Sequence, residues 1–410
     1  MIENLKINQD RLWQRLMHMA KIGATPAGGS CRVALTEEDR QGRDLFIKWC
    51  RELGCKISID RMGNIFAQRS GTDSHRLPIA CGSHLDTQPH GGKFDGVYGV
   101  LAGVEIFETL NEHSIETAAP LEICVWTNEE GSRFSPPMIS SGVFAGTYEL
   151  DYGLSRKDAD GITLGAALDS IGYAGTLTCG EHKFGAFIEV HIEQGPILER
   201  QEKTIGVVTG VQGSRWYRVT FNGQDAHTGS TPMEGRRDAL LSAAHTIKAV
   251  RGIADRQAPS AVATVGRIDC SPNSNNTIAG EVGITVDMRH VSIDILDTME
   301  TELYEASNSA AQQEDTTVDI QRIMDTPPVH FDVRCVKAVA AAAKNLGYPH
   351  KNMLSGAGHD ACHIAKVAAT SMIFVPCAGG LSHNEAESAT PQDLSAGANV
   401  LLHTLLNLAK

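Results

Sequence analysis

LPIACGSHLDT, residues 77–87, sets a short apolar run ahead of a histidine and, two positions later, an aspartate. A run of that length, rich in Ile, Cys and small residues and broken by polar ones, reads as a buried strand. Three other stretches repeat the design. LEICVWT (121–127) leads into Asn128-Glu129-Glu130, and Ala186 to Val190 leads into His191-Ile-Glu-Gln-Gly. SMIFVP (371–376) leads, past a glycine pair, into Leu381-Ser382-His383-Asn384. Helical patterns lie between them, notably Val97 to Glu112, where Gly99 and Gly103 would allow close packing on a sheet. Strands alternating with helices predict an α/β fold built on a mostly parallel sheet. In such sheets ligands sit beyond the carboxyl ends of the strands, and here four strand ends carry the unusual residues.

The texture changes between residues 213 and 329. Arg215–Gly223 alternates like a half-buried strand, Gly235–Ile253 has helical spacing, and Ala261–Ile268 and Glu281–Arg289 read as strands. A helix over Ile293–Gln312 and a strand over Thr316–Ile323 complete a β-α-β-β-α-β, ferredoxin-like order. The expected organisation is a discontinuous catalytic domain, 1–212 with 330–410, interrupted by an inserted domain, 213–329. The length of 410 residues suits two or three domains.

Composition narrows the function. Hydrophobic residues make up 42% and charged residues 21%, enough to bury a sizeable core. A formal net charge of -13 argues against nucleic-acid or anionic-membrane partners, which call for a basic face. No run reaches the roughly 18 apolar residues of a membrane span. The N-terminal MIENLKINQDRLWQRL reads as polar residues entering an amphipathic helix, without the apolar core of a signal peptide. Ten scattered cysteines form no framework and fit reduced thiols in the cytoplasm.

The strand-end residues suit divalent cations, which take imidazole nitrogens and carboxylate oxygens. The candidates are His84, Asp95, Glu130, His191 and His383. Asp95 lies in His90-Gly-Gly-Lys-Phe-Asp95-Gly96, where glycines let the backbone bend and place a carboxylate between two sites. Taken singly, a histidine after a strand is ordinarily a loop residue, a Glu pair a solvated helix start, and Asp-Gly a turn. Gathered at the strand ends of one sheet, they form a site. Asp86, two residues past His84, is expected to hydrogen-bond a ligand imidazole and fix its tautomer. With Glu130 as a ligand, Glu129 is left to take a proton from the attacking water and deliver it to the leaving nitrogen. No GxSxG elbow or comparable Cys-His signature supports a nucleophilic side chain instead.

The segments GSHLDTQPHGGKFDGVYGVLAG (82–103), WTNEEGSRF (126–134), HIEQGPILE (191–199), GQDAHTGSTPM (223–233), DMRH (287–290), SGAGHDA (355–361) and GLSHNEAE (380–387) resemble the M20 metallopeptidase/amidohydrolase family. Within it they look like the branch of N-carbamoyl-L-amino acid hydrolases, β-ureidopropionases and allantoate amidohydrolases. The resemblance implies two divalent metal ions (Zn, Mn, Co or Ni), one among His84, Asp95 and His191 and the other among Asp95, Glu130 and His383, with Asp95 bridging. It implies a commonly cis peptide after that aspartate, carbamoyl binding by Gln194, and substrate contacts at Asn276, Arg289 and Gly358. Arg289 would take the substrate carboxylate, and His227 would stabilise the tetrahedral intermediate. It also implies a homodimer, the inserted domain serving dimerisation and closure, with His227 reaching the partner subunit's metals.

The expected reaction is hydrolysis of N-carbamoyl-L-amino acids, or their β-amino analogues, to amino acid, carbon dioxide and ammonia. The alternatives are allantoate hydrolysis, against which Trp216 stands because the resemblance implies a basic residue near there in the allantoate branch for its second polar arm, and dipeptide or aminoacyl hydrolysis, which the resemblance disfavours through His191 and Gln194. A non-catalytic binding protein on the same scaffold would have lost Glu129 or a ligand, and all are present.

Overall fold

The computed structural model describes residues 4–410; Met1, Ile2 and Glu3, which open the polar N-terminal stretch, lie outside the described residues. The strands are β1 (Lys56–Ile59), β2 (Ile65–Arg69), β3 (Ile79–His84), β4 (Leu121–Trp126), β5 (Ala186–Ile192), β6 (Ile205–Val211) and β7 (Gly213–Asn222). There follow β8 (Ala226–His227), β9 (Val262–Ser271), β10 (Thr277–Ile278), β11 (Glu281–His290), β12 (Thr317–Thr326), β13 (Val329–His330), β14 (His350–Ser355) and β15 (Ala369–Val375). Two compact units result, one formed by the chain up to Thr209 with His330–Lys410, the other by Gly210–Val329.

The first unit is built on a nine-stranded sheet ordered β1-β2-β4-β3-β5-β15-β6-β13, with β14 also on β6. Its four central neighbours β4, β3, β5 and β15 run parallel. These are the strands whose ends drew attention in the sequence. Every residue of β3, β4 and β5 is buried, which is why they read as unbroken apolar runs and not as alternating ones. Helices Val97–Glu112 and Pro391–Leu408 pack on them. Gly99 makes the first approach possible: a Cβ there would lie 2.6 Å from the Val190 carbonyl oxygen.

The sheet is parallel only at its centre. β1 pairs β2, β2 pairs β4 and β15 pairs β6 antiparallel. The β1–β2 pair has a local cause, since the tight Asp60–Asn64 turn, tied by Asp60 Oδ1 to the amides of Met62 and Asn64, can only return the chain antiparallel.

The second unit is a four-stranded antiparallel sheet ordered β12-β7-β11-β9, with helices Ala239–Arg256 and Ile293–Gln313. Tyr217, Val219 and Phe221 of β7 alternate inward with Val282, Ile284, Val286 and Met288 of β11 to form its core with those helices. Sequence reading missed the small β8–β10 ribbon, whose two-residue strands are too short to leave a periodic signal.

Candidate active site

Beyond the central strands of the first unit, Asp95 is the common element of two side-chain groups. One is His84, Asp95 and His191; the other is Asp95, Glu130 and His383. Asp95 Oδ1 lies 3.6 Å from His84 Nε2 and 3.1 Å from His191 Nε2. Its Oδ2 lies 3.4 Å from His383 Nε2, which is itself 3.3 Å from Glu130 Oε2. The carboxylate thus presents one oxygen to each group. His84 ends β3, whereas His191 lies within β5, one residue before its end, and not past the strand. Both are buried and His383 is exposed.

The buried imidazoles are held by main chain. His84 Nδ1 donates to the Asp86 carbonyl oxygen at 2.8 Å, and His191 Nδ1 donates to the Ile192 carbonyl oxygen at 2.9 Å. A carbonyl can only accept, so Nδ1 carries a hydrogen on each ring, and Nε2 is the nitrogen that faces the shared carboxylate. This corrects the expected role of Asp86. Its side chain does not orient His84; its backbone does, because that carbonyl is the nearer acceptor. The Asp86 carboxylate instead accepts the amides of Glu129 (3.3 Å) and Glu130 (3.2 Å), fixing both acidic residues at the end of β4.

Glu129 Oε2 stands 3.5 Å from His84 Nε2, yet Glu129 belongs to neither group. Glu130 is held from the other side by Gln88, whose backbone amide and Nε2 donate at 3.1 and 2.8 Å. Burial, reinforced by neighbouring carboxylates, raises Glu129 well above the usual carboxylate range and lifts Glu130 to about 8. Burial alone would lower His84, but Glu129 and Asp95 raise it well above the ordinary imidazole value. Burial would likewise raise Asp95, but His191 and His84 hold it well below its usual range. Four buried carboxyl groups around two buried imidazoles make a mixed nitrogen and oxygen donor set. That chemistry fits divalent cations.

The peptide after Asp95 departs from the expected cis form. Among the described residues the cis bonds are Ser135-Pro136, Ala258-Pro259 and Ser271-Pro272. A trans bond avoids the several kcal/mol of a non-proline cis peptide, and Gly96 makes the bend with φ 66°.

Gln194 joins this cluster. Its Nε2 donates to Asp95 Oδ2 at 2.8 Å and to Ser382 Oγ at 3.2 Å, while its Oε1 is buried with no hydrogen-bond partner among the described residues. Gly358 follows β14 against the Met138 side chain, next to His359, whose ring lies edge-on to His191 at 4.6 Å. Several neighbours escaped sequence reading. Glu189 accepts Ser83 Oγ (2.6 Å) and the Ala361 amide (3.1 Å), and Asp360 accepts Ser141 Oγ (2.5 Å). Glu387 accepts backbone amides beside Asp95, and its carboxyl is pushed up to about 7 by burial and by Asp95. The available signal for Glu189 was a lone acidic residue inside the apolar run AFIEVHI. The others sit in motifs already singled out, where nothing in the sequence says which side chains turn inward.

His227, Asn276 and Arg289 lie in the second unit. His227, in β8, is exposed, and its Nδ1 accepts the amides of Gly229 (3.0 Å) and Ser230 (3.1 Å). The hydrogen therefore belongs on Nε2, making it a donor. Thr277 is opposite His227 in the ribbon, and the preceding Asn276 accepts the Thr228 amide on its backbone carbonyl at 3.1 Å. Arg289, on β11, lies apart from that ribbon in the fold order and is engaged by Asp287 at 2.9 Å.

An α/β sheet whose central strand ends gather such a donor set beside an unligated, buried glutamate is the arrangement of a metal-dependent hydrolase. The chain belongs to the peptidase family M20/M25/M40, which residues 80–407 match. It is 48% identical to an N-carbamoyl-L-amino-acid amidohydrolase of Rhizobium meliloti, over 100% of this chain and 98% of that one. It is 32% identical to the allantoate amidohydrolase of Bacillus subtilis, over 95% of each. A hydantoinase/carbamoylase family amidase from Burkholderia multivorans is 53% identical, with a TM-score of 0.96 over 99% of this chain and 98% of that one.

Proposed function

We propose that this chain hydrolyses N-carbamoyl-L-amino acids to amino acid, carbon dioxide and ammonia. The observation that carries the ureido reading is Gln194. Its Nε2 is committed to Asp95, and its buried Oε1 lacks the donor that a carbamoyl NH2 group would supply. The amidohydrolase from Rhizobium meliloti, similar over the full chain, supports the same substrate class.

His84, Asp95 and His191 would hold one divalent cation and Asp95, Glu130 and His383 a second, drawn from zinc, manganese, cobalt or nickel. Bound cations polarise a carbonyl and lower the pKa of water. Glu129, outside both sets, takes the proton of the attacking water and passes it to the leaving nitrogen. In the second unit Arg289 grips the substrate carboxylate, and Asn276 contacts substrate. His227, with its hydrogen on Nε2, donates to the oxyanion. Ten free thiols suit the reducing cytoplasm.

Ammonia release from N-carbamoyl-α-amino acids, N-carbamoyl-β-alanine and allantoate, with zinc or manganese restored to chelated enzyme, tests the reading. The α-series should be preferred; turnover confined to allantoate would replace it. We further propose a homodimer in which His227 completes the partner's site. Inactive His84→Ala and His227→Ala subunits, mixed and allowed to exchange, should then recover towards about a quarter of wild-type activity, since about half the dimers are mixed with one whole site each. Verified exchange without recovery would return His227 to its own chain.

A further inference from the structure

Asp95 is held in place by a residue far along the chain. The Glu387 carboxylate accepts two consecutive backbone amides through Oε1, from Phe94 at 2.9 Å and from Asp95 at 3.2 Å. Its Oε2 lies 2.9 Å from Ser382 Oγ, and that hydroxyl lies 2.9 Å from Asp95 Oδ2. Glu387 therefore reaches both the backbone of Asp95 and, through Ser382, its carboxylate. The side chain is 2% exposed. Its own turn is closed by the Glu387 amide on the Asn384 carbonyl.

Gly92 shows how closely the parts fit. A Cβ at that position would lie 2.0 Å from Glu387 Oε1 and 2.1 Å from its Cδ. The glycine is what lets the carboxylate lie against the 92–95 turn. Two loops, one after β3 and one after β15, are thus joined at a single buried carboxyl group.

We propose that Glu387 is a positioning residue for Asp95, setting where that carboxylate stands between the two ligand groups. The inference rests on the reading of Asp95 as a metal ligand. Groups that orient ligands typically contribute about 10- to 100-fold in metal affinity, and two adjacent amides accepted by one oxygen fix both the position and the direction of the peptide that carries Asp95.

The test is a zinc titration of the full-length metal-free protein against a chromophoric chelator, with the melting midpoint of the metal-free form measured alongside. Glu387→Ala should bind zinc about 10- to 100-fold more weakly. Glu387→Gln, which keeps the oxygen that accepts both amides, should stay within a few-fold of wild type. Gly92→Ala should weaken binding as Glu387→Ala does, by displacing the carboxylate without removing it. In the Glu387→Ala background the same Gly92→Ala change should add little, because its clash partner is gone. Zinc affinity near wild type in Glu387→Ala, or full additivity of the two changes, would overturn the proposal. If Glu387→Ala fails to fold, the contrast between Gly92→Ala and Glu387→Gln decides it, equal zinc affinity in the two counting against. A wild-type protein that took up no zinc would instead overturn the metal-centre reading on which it rests.

Discussion

The two units hold their candidate functional groups in opposite ways. At the strand ends of the first unit the side chains other than the exposed His383 are buried, and main-chain groups fix them: carbonyls of Asp86 and Ile192 on His84 and His191, amides of Glu129 and Glu130 on Asp86. In the second unit the helices cover one face of the sheet, and the other carries part-exposed side chains, Trp216, Asp287 and Arg289 among them. Arg289 is engaged by Asp287 two residues away on its own strand, and Ser214 Oγ donates to the same Asp287 carboxylate at 3.2 Å. Buried charged groups are costly to rearrange, so a set of this kind is best fixed before substrate arrives. Groups that meet a changing substrate can stay half-solvated and adjust.

That contrast sets the size of the expected mutational effects. Glu129→Gln should reduce turnover about 100- to 10,000-fold while two metals stay bound, since a general base is lost and no ligand is; metal analysis beside steady-state rates checks it, and near-normal turnover would remove Glu129 from proton transfer. Arg289→Ala should cost about 2–5 kcal/mol of kcat/KM on carboxylate-bearing substrates. A matched carbamoyl amine should lose far less, and equal losses would make the arginine structural. Asp86→Ala should weaken metal binding about 10- to 100-fold, because the backbone carrying Glu130 loses its anchor. The His84 contact with the residue-86 carbonyl should survive, visible as an unchanged imidazole Nδ1–H signal in NMR. The smallest effect belongs to Asp287→Asn. An exposed pair contributes about 0–1 kcal/mol, so KM should change only a few-fold with kcat and melting midpoint held. A large fall in kcat there would erase the distinction between the two regions.

What the sequence disclosed follows the same division. The four central strands were legible because burial on both faces leaves continuous apolar runs, each ending at a residue type out of place in a core. Glu130 and the histidines could be picked out on that ground, and Asp95 by its place in the glycine loop that follows the first of those strands. The work of Asp86 could not, because spacing locates a side chain near an imidazole but does not reveal that a backbone carbonyl lies nearer. Glu387 and Asp360 were hidden for another reason: in GLSHNEAE and SGAGHDA several polar neighbours compete, and only the fold decides which turns inward. In the second unit β7 was readable from the alternation of 215–223, while the antiparallel β1–β2 edge of the large sheet depended on turn geometry that composition does not encode.

If the groups around Asp95 hold cations as proposed, metal uptake there is an exchange with protons. Burial and the neighbouring Asp95 raise the Glu130 carboxyl to about 8, and a carboxyl group has to be deprotonated to ligate a cation. Loading would then release acid into the medium, and the occupancy of the site should fall as the medium is acidified.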